Sequence, residues 1–407
     1  MKKKNIWILN QTAGMYDSGW GERHYYLSKY WVNEGYNINI ISGSYNHLFI
    51  KQPIIKKNWF TYENVEKGIQ FCWVKVPIYH NTGFKKIISN LIYTFKLFFL
   101  SSKRLGKPDI IIISSMPIFP IFNGLFFKLK YNIKKLIFEV RDLWPLTPIY
   151  LKGYSKNHPL IRIMSWFEVI AYKKSNLIVS LLPNSSGYIS EISKDKSKFH
   201  YIPNGIDENL VGSEGLPEKT VKLIPKDKFI IGYAGTIGLA NAMEYFIEAS
   251  LSIKEKNIHF VIVGDGFLKK SFEHRVENSK NITFIKKVKK SQVQEILKYF
   301  DVCYLGRYKS PLYSHGVSYN KYFDYMLAKK PILESSEFIK DQVELSGCGI
   351  IVPPENKEAI INGILQFYNM KKEDRDFLGL KGYEFVKKYH NYGSLSKLYI
   401  DLFDSIV

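Results

Sequence analysis

Residues 315–331 read HGVSYNKYFDYMLAKKP, and the reading of this stretch decides the fold of the second half of the chain. A Gly/Ser turn that includes Gly316 and Ser318 runs into Lys321 and then into a helix carrying Asp324 on its first or second turn. That order aims backbone N–H groups, an ammonium and a helix N-terminus at one point, as binding a diphosphate requires. Asp324, one turn further on, is placed to accept hydrogen bonds from a ribose. A second strand–loop–helix start lies at 230–246, IIGYAGTIGLANAMEYF, with Gly235 and Thr236 in its loop. Gly264-Asp265-Gly266 follows another apolar run. A single glycine loop is common in proteins. Three at one sheet edge, the third comprising Gly316, Ser318, Tyr319, Asn320 and Lys321, point to a phosphate-bearing ligand.

Working outward, apolar runs alternate with helical patterns along the whole chain. Strands are expected at 6–9, 38–41, 110–113, 136–140, 177–180, 229–233, 259–263, 282–285 and 302–305. Their near-continuous Ile, Val and Phe content suits strands buried on both faces of a parallel sheet. Helices expected at 23–34, 242–253 and 293–299 complete β–α units. The polar stretch 207–228, with two Gly and two Pro, reads as an inter-domain linker. The expected class is α/β, with two doubly wound Rossmann-like domains facing a cleft.

With 407 residues the chain can make two domains, each burying its own core. Cys72, Cys303 and Cys348 are far apart and odd in number, which implies neither a disulfide framework nor a metal knuckle and fits a reduced, cytoplasmic setting. The opening MKKKNIWILN reads as a first strand, not a signal peptide, and no apolar run is long enough to span a bilayer. The net charge of +21 is uneven: residues 1–200 hold 29 Lys/Arg against 11 Asp/Glu, or +18, leaving +3 for the rest. Such asymmetry points to an anionic partner for the first half, either nucleic acid or an acidic membrane surface.

The first half also carries candidate chemistry. Gly14, Gly19 and Gly21 precede a helix that begins near Arg23, leaving its N-terminus open to a phosphate or sugar hydroxyl, unless the loop is merely long and exposed. His24 stands where a dinucleotide fingerprint needs its third Gly, so NAD binding is disfavoured. In FEVRDLWP (138–145), Arg141 and Asp142 leave the carboxyl end of a buried strand, where open α/β sheets place ligands. They can hold a sugar or orient an acceptor hydroxyl, or simply tie down their own loop. YIPNGID (201–207) serves equally as a hinge turn or a ligand contact. Residues 84–107 hold six basic residues and no acid on an amphipathic pattern. They suit a helix lying in a membrane interface, or one packed on the sheet with a solvated basic face. No familiar nucleic-acid motif and no metal-ligand spacing of His is present in the sequence.

FEVRDLWP, YIPNGID, YAGTIGLANAME, VGDG and GVSYNKYFDYM together resemble retaining glycosyltransferases of family four, which have the GT-B fold. The similarity is greatest to the bacterial surface-polysaccharide branch that includes fucosamine-type transferases. The resemblance implies domains at 1–203 (acceptor) and 204–385 (donor), with a tail, 386–407, that crosses back onto the first. It implies a nucleotide-diphospho-sugar donor, a UDP-linked HexNAc or deoxy-amino hexose, and a lipid-linked or growing glycan acceptor in O-antigen or capsule synthesis. It places the enzyme on the inner face of a bacterial membrane, with an anionic membrane surface as partner, no nucleic acid and neither cofactor nor metal. Arg141 and Asp142 then match a pair near the sugar, and Lys321 serves the leaving group. Gly235, Thr236, Gly264, Gly316, Ser318, Tyr319, Asn320 and Asp324 hold the donor, while Gly19, Gly21 and Arg23 lie in the loop that closes over phosphates and acceptor. The sequence departs from the family at Gly316, where a Glu is usual, and near Thr236 and Asn241, where an Arg and a Lys are usual. Lys321 and Arg307 remain as cations for a departing diphosphate. Rival readings are a GT-B epimerase, an inverting transferase, or a non-catalytic basic module binding membrane or RNA.

Overall fold

The structure is a computed structural model that describes residues 3–80, 83–209, 211–212, 214–337 and 341–405. The chain divides into two compact α/β units, 1–204 with 392–407 and 205–391.

The first unit is built on β1 (Asn5–Leu9), β2 (Asn37–Gly43), β3 (Phe60–Glu66), β4 (Ile69–Val74), β5 (Ile110–Ser114), β6 (Lys135–Val140), β7 (Leu177–Ser180) and β8 (Phe199–Tyr201). Their order is β3-β4-β2-β1-β5-β6-β7-β8. Ile6 pairs with Ile38 on one side and Ile110 on the other, so β1 is central and buried on both faces. Ile6 and Ile8 join Trp31, Tyr399 and Phe403 in the core under helices Arg23–Asn33 and Tyr392–Ser405. Trp7 points the other way, edge-on to Phe127 and Tyr131 of helix Ile121–Tyr131. β3 departs from the expected all-parallel sheet. It pairs antiparallel with β4 at the edge, and its half-exposed FTYENVE pattern, with two glutamates, suits an edge that must not recruit another strand.

The second unit holds β9 (Phe229–Ala234), β10 (Ile258–Val263), β11 (Ile282–Ile285), β12 (Val302–Gly306), β13 (Ile332–Ser335) and β14 (Gly349–Val352), all parallel, in the order β11-β10-β9-β12-β13-β14. Two boundaries need correction. Residues 207–228 are not a free linker: Glu214 takes Lys289 and Ser291, Gln292 donates to the Gly215 carbonyl, and the segment belongs to the second unit. The tail that returns to the first unit begins at Tyr392 and not at 386, because helix Lys372–Tyr389 stays with the second.

Candidate functional site

In the second unit the loops after β9, β10 and β12 and the start of helix Asn320–Leu327 form one cluster. Tyr325, on that helix, fastens it to the end of β9: the Ala234 N–H donates to Tyr325 Oη at 2.9 Å, and the Tyr325 hydroxyl donates to the Ala234 carbonyl at 3.2 Å. The β9 and β10 loops are joined by Ile237 N–H donating to the Asp265 carbonyl at 2.9 Å. A side chain at Gly264 would strike the Gly235 carbonyl, and one at Gly235 would strike the aliphatic end of Lys321. Both glycines thus let the Lys321 stem and two backbone loops pack together. Gly316 sits at φ +82°, which only glycine adopts cheaply, and its N–H closes the preceding turn onto the Tyr313 carbonyl.

Two cations meet at the centre. Lys321 Nζ donates to Asn241 Oδ1 at 2.6 Å, and Arg307 Nη1 donates to the same oxygen at 2.9 Å and to the Ala240 carbonyl at 2.5 Å. Arg307 is only 2 % exposed, and its guanidinium lies over the Tyr319 ring at 3.3 Å from its centroid. Among the described residues neither cation is ion-paired with a carboxylate. Burial first, and Arg307 second, push the Lys321 ammonium well below its ordinary value, with Asp324 offsetting only part. Two buried positive charges resting on one neutral oxygen are poorly compensated. An anion placed against them would relieve that deficit.

Asp324 is not waiting empty for a ribose. Lys290, from the loop after β11, grips both its oxygens at 2.6 and 2.8 Å. Thr236 is exposed, and its carbonyl is already used by the Tyr233 hydroxyl at 2.6 Å and Asn241 Nδ2 at 2.8 Å. Asn320 is exposed at the head of its helix, while Ser318 and Tyr319 lead into it. Behind the helix, Tyr322 donates to Glu334, whose carboxyl burial raises to about 8. Neither Lys290 nor Glu334 is marked by sequence spacing; each becomes visible only when β11 and β13 are laid beside the helix.

In the first unit the glycine loop is tightly folded. Asn10 Oδ1 accepts from Thr12 N–H and Oγ1, both at 3.0 Å, and Gly14 N–H donates to the Gly21 carbonyl at 3.1 Å. Gly19 and Gly21 hold φ of +70° and +81°, and a side chain on Gly21 would strike the Thr12 carbonyl. Arg23 requires correction: it is 3 % exposed and faces inward, not toward a ligand. Its Nε donates to Glu139 Oε2 at 3.0 Å, Nη2 to the Ile202 carbonyl at 2.9 Å, and Nη1 to the Pro203 carbonyl. Glu139 also accepts from Tyr399 at 2.5 Å and Ser114 at 3.1 Å, and lies 3.1 Å from His24. Although fully buried, its carboxyl is held well below the ordinary range because His24 and Arg23 outweigh desolvation. Arg141 and Asp142 follow β6 at the carboxyl edge of the sheet. Arg141 N–H donates to Ser115 Oγ at 3.0 Å, and burial raises the Asp142 carboxyl against the pull of Arg141 and Lys86.

Residues 228–370 match the family model described as "Glycosyl transferases group 1". The sequence is similar to an uncharacterized glycosyltransferase of Methanocaldococcus jannaschii, at 23 % identity over 337 residues, covering 74 % of this chain and 83 % of that one. Among solved structures, sucrose-phosphate synthase from Thermosynechococcus elongatus superposes with a TM-score of 0.75 at 14 % identity, covering 98 % of this chain and 99 % of that one. WaaG, a glycosyltransferase involved in lipopolysaccharide biosynthesis, gives 0.68 at 13 % identity, covering 98 % and 100 %. Anabaena HepE in complex with UDP and glucose gives 0.67 at 10 % identity, covering 99 % and 100 %. The fold is that of GT-B glycosyltransferases, and the family match supports a glycosyltransferase of the group 1 type.

Proposed function

We propose that this chain is a retaining glycosyltransferase that moves a sugar from a nucleotide-diphospho-sugar, a UDP-linked N-acetylated or deoxy-amino hexose, to a lipid-linked or growing glycan in surface-polysaccharide synthesis. The observation that carries the reading is the meeting of Lys321 and Arg307 on Asn241 Oδ1 without a carboxylate between them. The UDP bound in the HepE structure and the involvement of WaaG in lipopolysaccharide biosynthesis agree with it. FEVRDLWP supports the fucosamine-type branch.

The diphosphate lies against Lys321 and the N-terminus of helix Asn320–Leu327, with Arg307 behind them. As the bond from the sugar to the diphosphate breaks, negative charge grows on the leaving oxygen. The ammonium and aligned amides are already oriented to receive it, so little reorganisation is needed. Each charge-assisted contact contributes about 1.5–3 kcal/mol. Protein cations supply this stabilisation, and no resident metal is called for. The acceptor hydroxyl attacks the face the diphosphate leaves, and the departing phosphate takes its proton, which retains configuration without a carboxylate nucleophile. Arg141 and Asp142 orient the acceptor, and Gly19 and Gly21 shape the loop that precedes helix Arg23–Asn33. Asp324 takes the ribose hydroxyls when Lys290 moves aside.

In this reading the enzyme works on the inner face of a bacterial membrane, and the first unit's surface supports such a place. Helix Phe84–Leu97 buries Ser89, Tyr93 and Leu97 but exposes Phe84, Leu91 and Phe95. Phe99 meets Phe95 at 5.3 Å and Trp59 at 5.6 Å, with Lys96 over the Trp59 ring at 5.2 Å. Apolar tips flanked by lysines suit an anionic interface. No helix of the described residues is long and apolar enough to cross a membrane. Incubating the full chain with a panel of UDP-sugars and lipid-linked acceptors, with mass spectrometry of products, tests the reading. Sugar transfer with the product anomer matching the donor supports it; no transfer and no UDP binding overturns it.

A further inference from the structure

The glycine loop of the first unit leaves β1 at Asn10 and enters its helix at His24, and these two side chains meet. Asn10 Nδ2 and His24 Nδ1 are 3.0 Å apart, with Asn10 1 % exposed and His24 fully buried. The orientation of the Asn10 amide is fixed from its other end. Its Oδ1 takes the Thr12 N–H, which can only donate, and the Thr12 hydroxyl, both at 3.0 Å. Nδ2 therefore faces His24, and because an amide nitrogen only donates, His24 Nδ1 must be a bare acceptor. The ring proton belongs on Nε2, which lies 3.1 Å from Glu139 Oε1.

A second ring proton would set an N–H against the Asn10 amide. Burial holds the His24 ring below its ordinary pKa against the pull of Glu139, and Arg141 and Arg23 add to the lowering, in keeping with a neutral ring. Glu139 is held by three further donors, Ser114 at Oε1 and Arg23 and Tyr399 at Oε2, so it is a fixed wall for the imidazole. Asn10, in turn, is the root of the loop. Its carbonyl takes the Ala13 N–H at 3.1 Å while its side chain holds Thr12, and the turn so formed delivers Gly14 N–H to the Gly21 carbonyl.

We propose that His24 is a positioning residue for the transfer reaction: its neutral Nε2–H tautomer, braced by Glu139, holds Asn10 and through it the shape of the glycine loop. The proposal rests on the glycosyl-transfer reading, in which that loop serves the substrates.

Two substitutions separate the ring nitrogens. His24→Asn puts an oxygen where Nδ1 stands and gives up Glu139; His24→Gln keeps a donor to Glu139 and leaves Asn10 without its acceptor. Nitrogen-15 NMR of the histidine-labelled full chain at neutral pH should show one ring with a bare Nδ1 and a protonated Nε2, assigned by its loss in either variant. Amide hydrogen exchange across residues 11–22, read by mass spectrometry, should quicken about tenfold in His24→Gln and equally in Asn10→Ala, but little in His24→Asn. Turnover on the panel of UDP-sugars and lipid-linked acceptors should fall about tenfold in His24→Gln, and His24→Asn should recover most of that loss. A histidine with only a structural part would make exchange and turnover follow the melting temperature and not the nitrogen retained. A His24 ring protonated on Nδ1 overturns the proposal, as does wild-type loop exchange in folded His24→Gln or Asn10→Ala. A wild-type chain that transfers no sugar removes the transferase reading instead, and is told apart because NMR and exchange need no substrate.

Discussion

Replacing Lys321 with methionine keeps most of the side-chain volume against Gly235 and removes one of the two charges resting on Asn241 Oδ1. The structure sets opposite signs for its two effects. Without ligand, the ammonium is penalised by burial and by Arg307, and its pKa is depressed well below 10.5. A lysine with a depressed folded pKa binds fewer protons in the folded state, so it costs stability at neutral pH, and that cost fades as pH rises toward 10.5. Lys321→Met is therefore expected to melt no lower than the wild type at pH 7, with any gain shrinking toward pH 10. With ligand, the variant forfeits one charge-assisted contact, about 1.5–3 kcal/mol, which weakens UDP roughly 10- to 150-fold. A variant that melts lower yet binds UDP as well as the wild type would refute the reasoning, since Lys321 would then be a structural cation.

Three other substitutions probe separate parts of the account. Lys290→Ala releases the Asp324 carboxylate, so UDP affinity should rise a few-fold while a 2′,3′-dideoxy analogue gains nothing; calorimetry compares the two. Glu139→Gln strips the charge from the buried cluster of Arg23, His24 and Tyr399 and should cost about 3 kcal/mol or more in urea unfolding at pH 7. Because Glu139 is depressed below 4.5, its stabilisation is present above that pH, and the difference should shrink on acidification. Glu334 has the opposite sign: raised from 4.5 to about 8, it keeps its proton in the fold while the unfolded chain loses it, so stability falls between those pH values. Glu334→Gln retains an acceptor for Tyr322 and should melt higher than the wild type at pH 8.5, with no gain near pH 4.5.

The buried strands were legible because parallel strands covered on both faces must be apolar throughout, and 177–180 and 282–285 match their sequence-based bounds. The antiparallel β3 was not, because an edge strand with Glu63 and Glu66 carries no continuous apolar signal. The glycines at 235 and 264 could be read locally, since each is a backbone position that a side chain would block. Arg23 misled because a basic residue at a helix start looks the same in sequence whether it faces a phosphate or a glutamate 116 positions away. The Lys290–Asp324 pair and the sharing of Asn241 by two cations depend on contacts across many residues, which no local pattern records. The polar composition of 207–228 suggested a linker, yet Glu214 and Gly215 are held by Lys289 and Gln292.

The most direct test compares UDP with uridine by calorimetry on the full chain at moderate salt. If the cations on Asn241 receive a diphosphate, two charge-assisted contacts of about 1.5 kcal/mol or more each make UDP bind at least roughly 100-fold tighter than uridine, with affinity falling as salt rises. Equal affinities for the two, or no binding of either, would contradict the claim that these paired charges form a diphosphate seat.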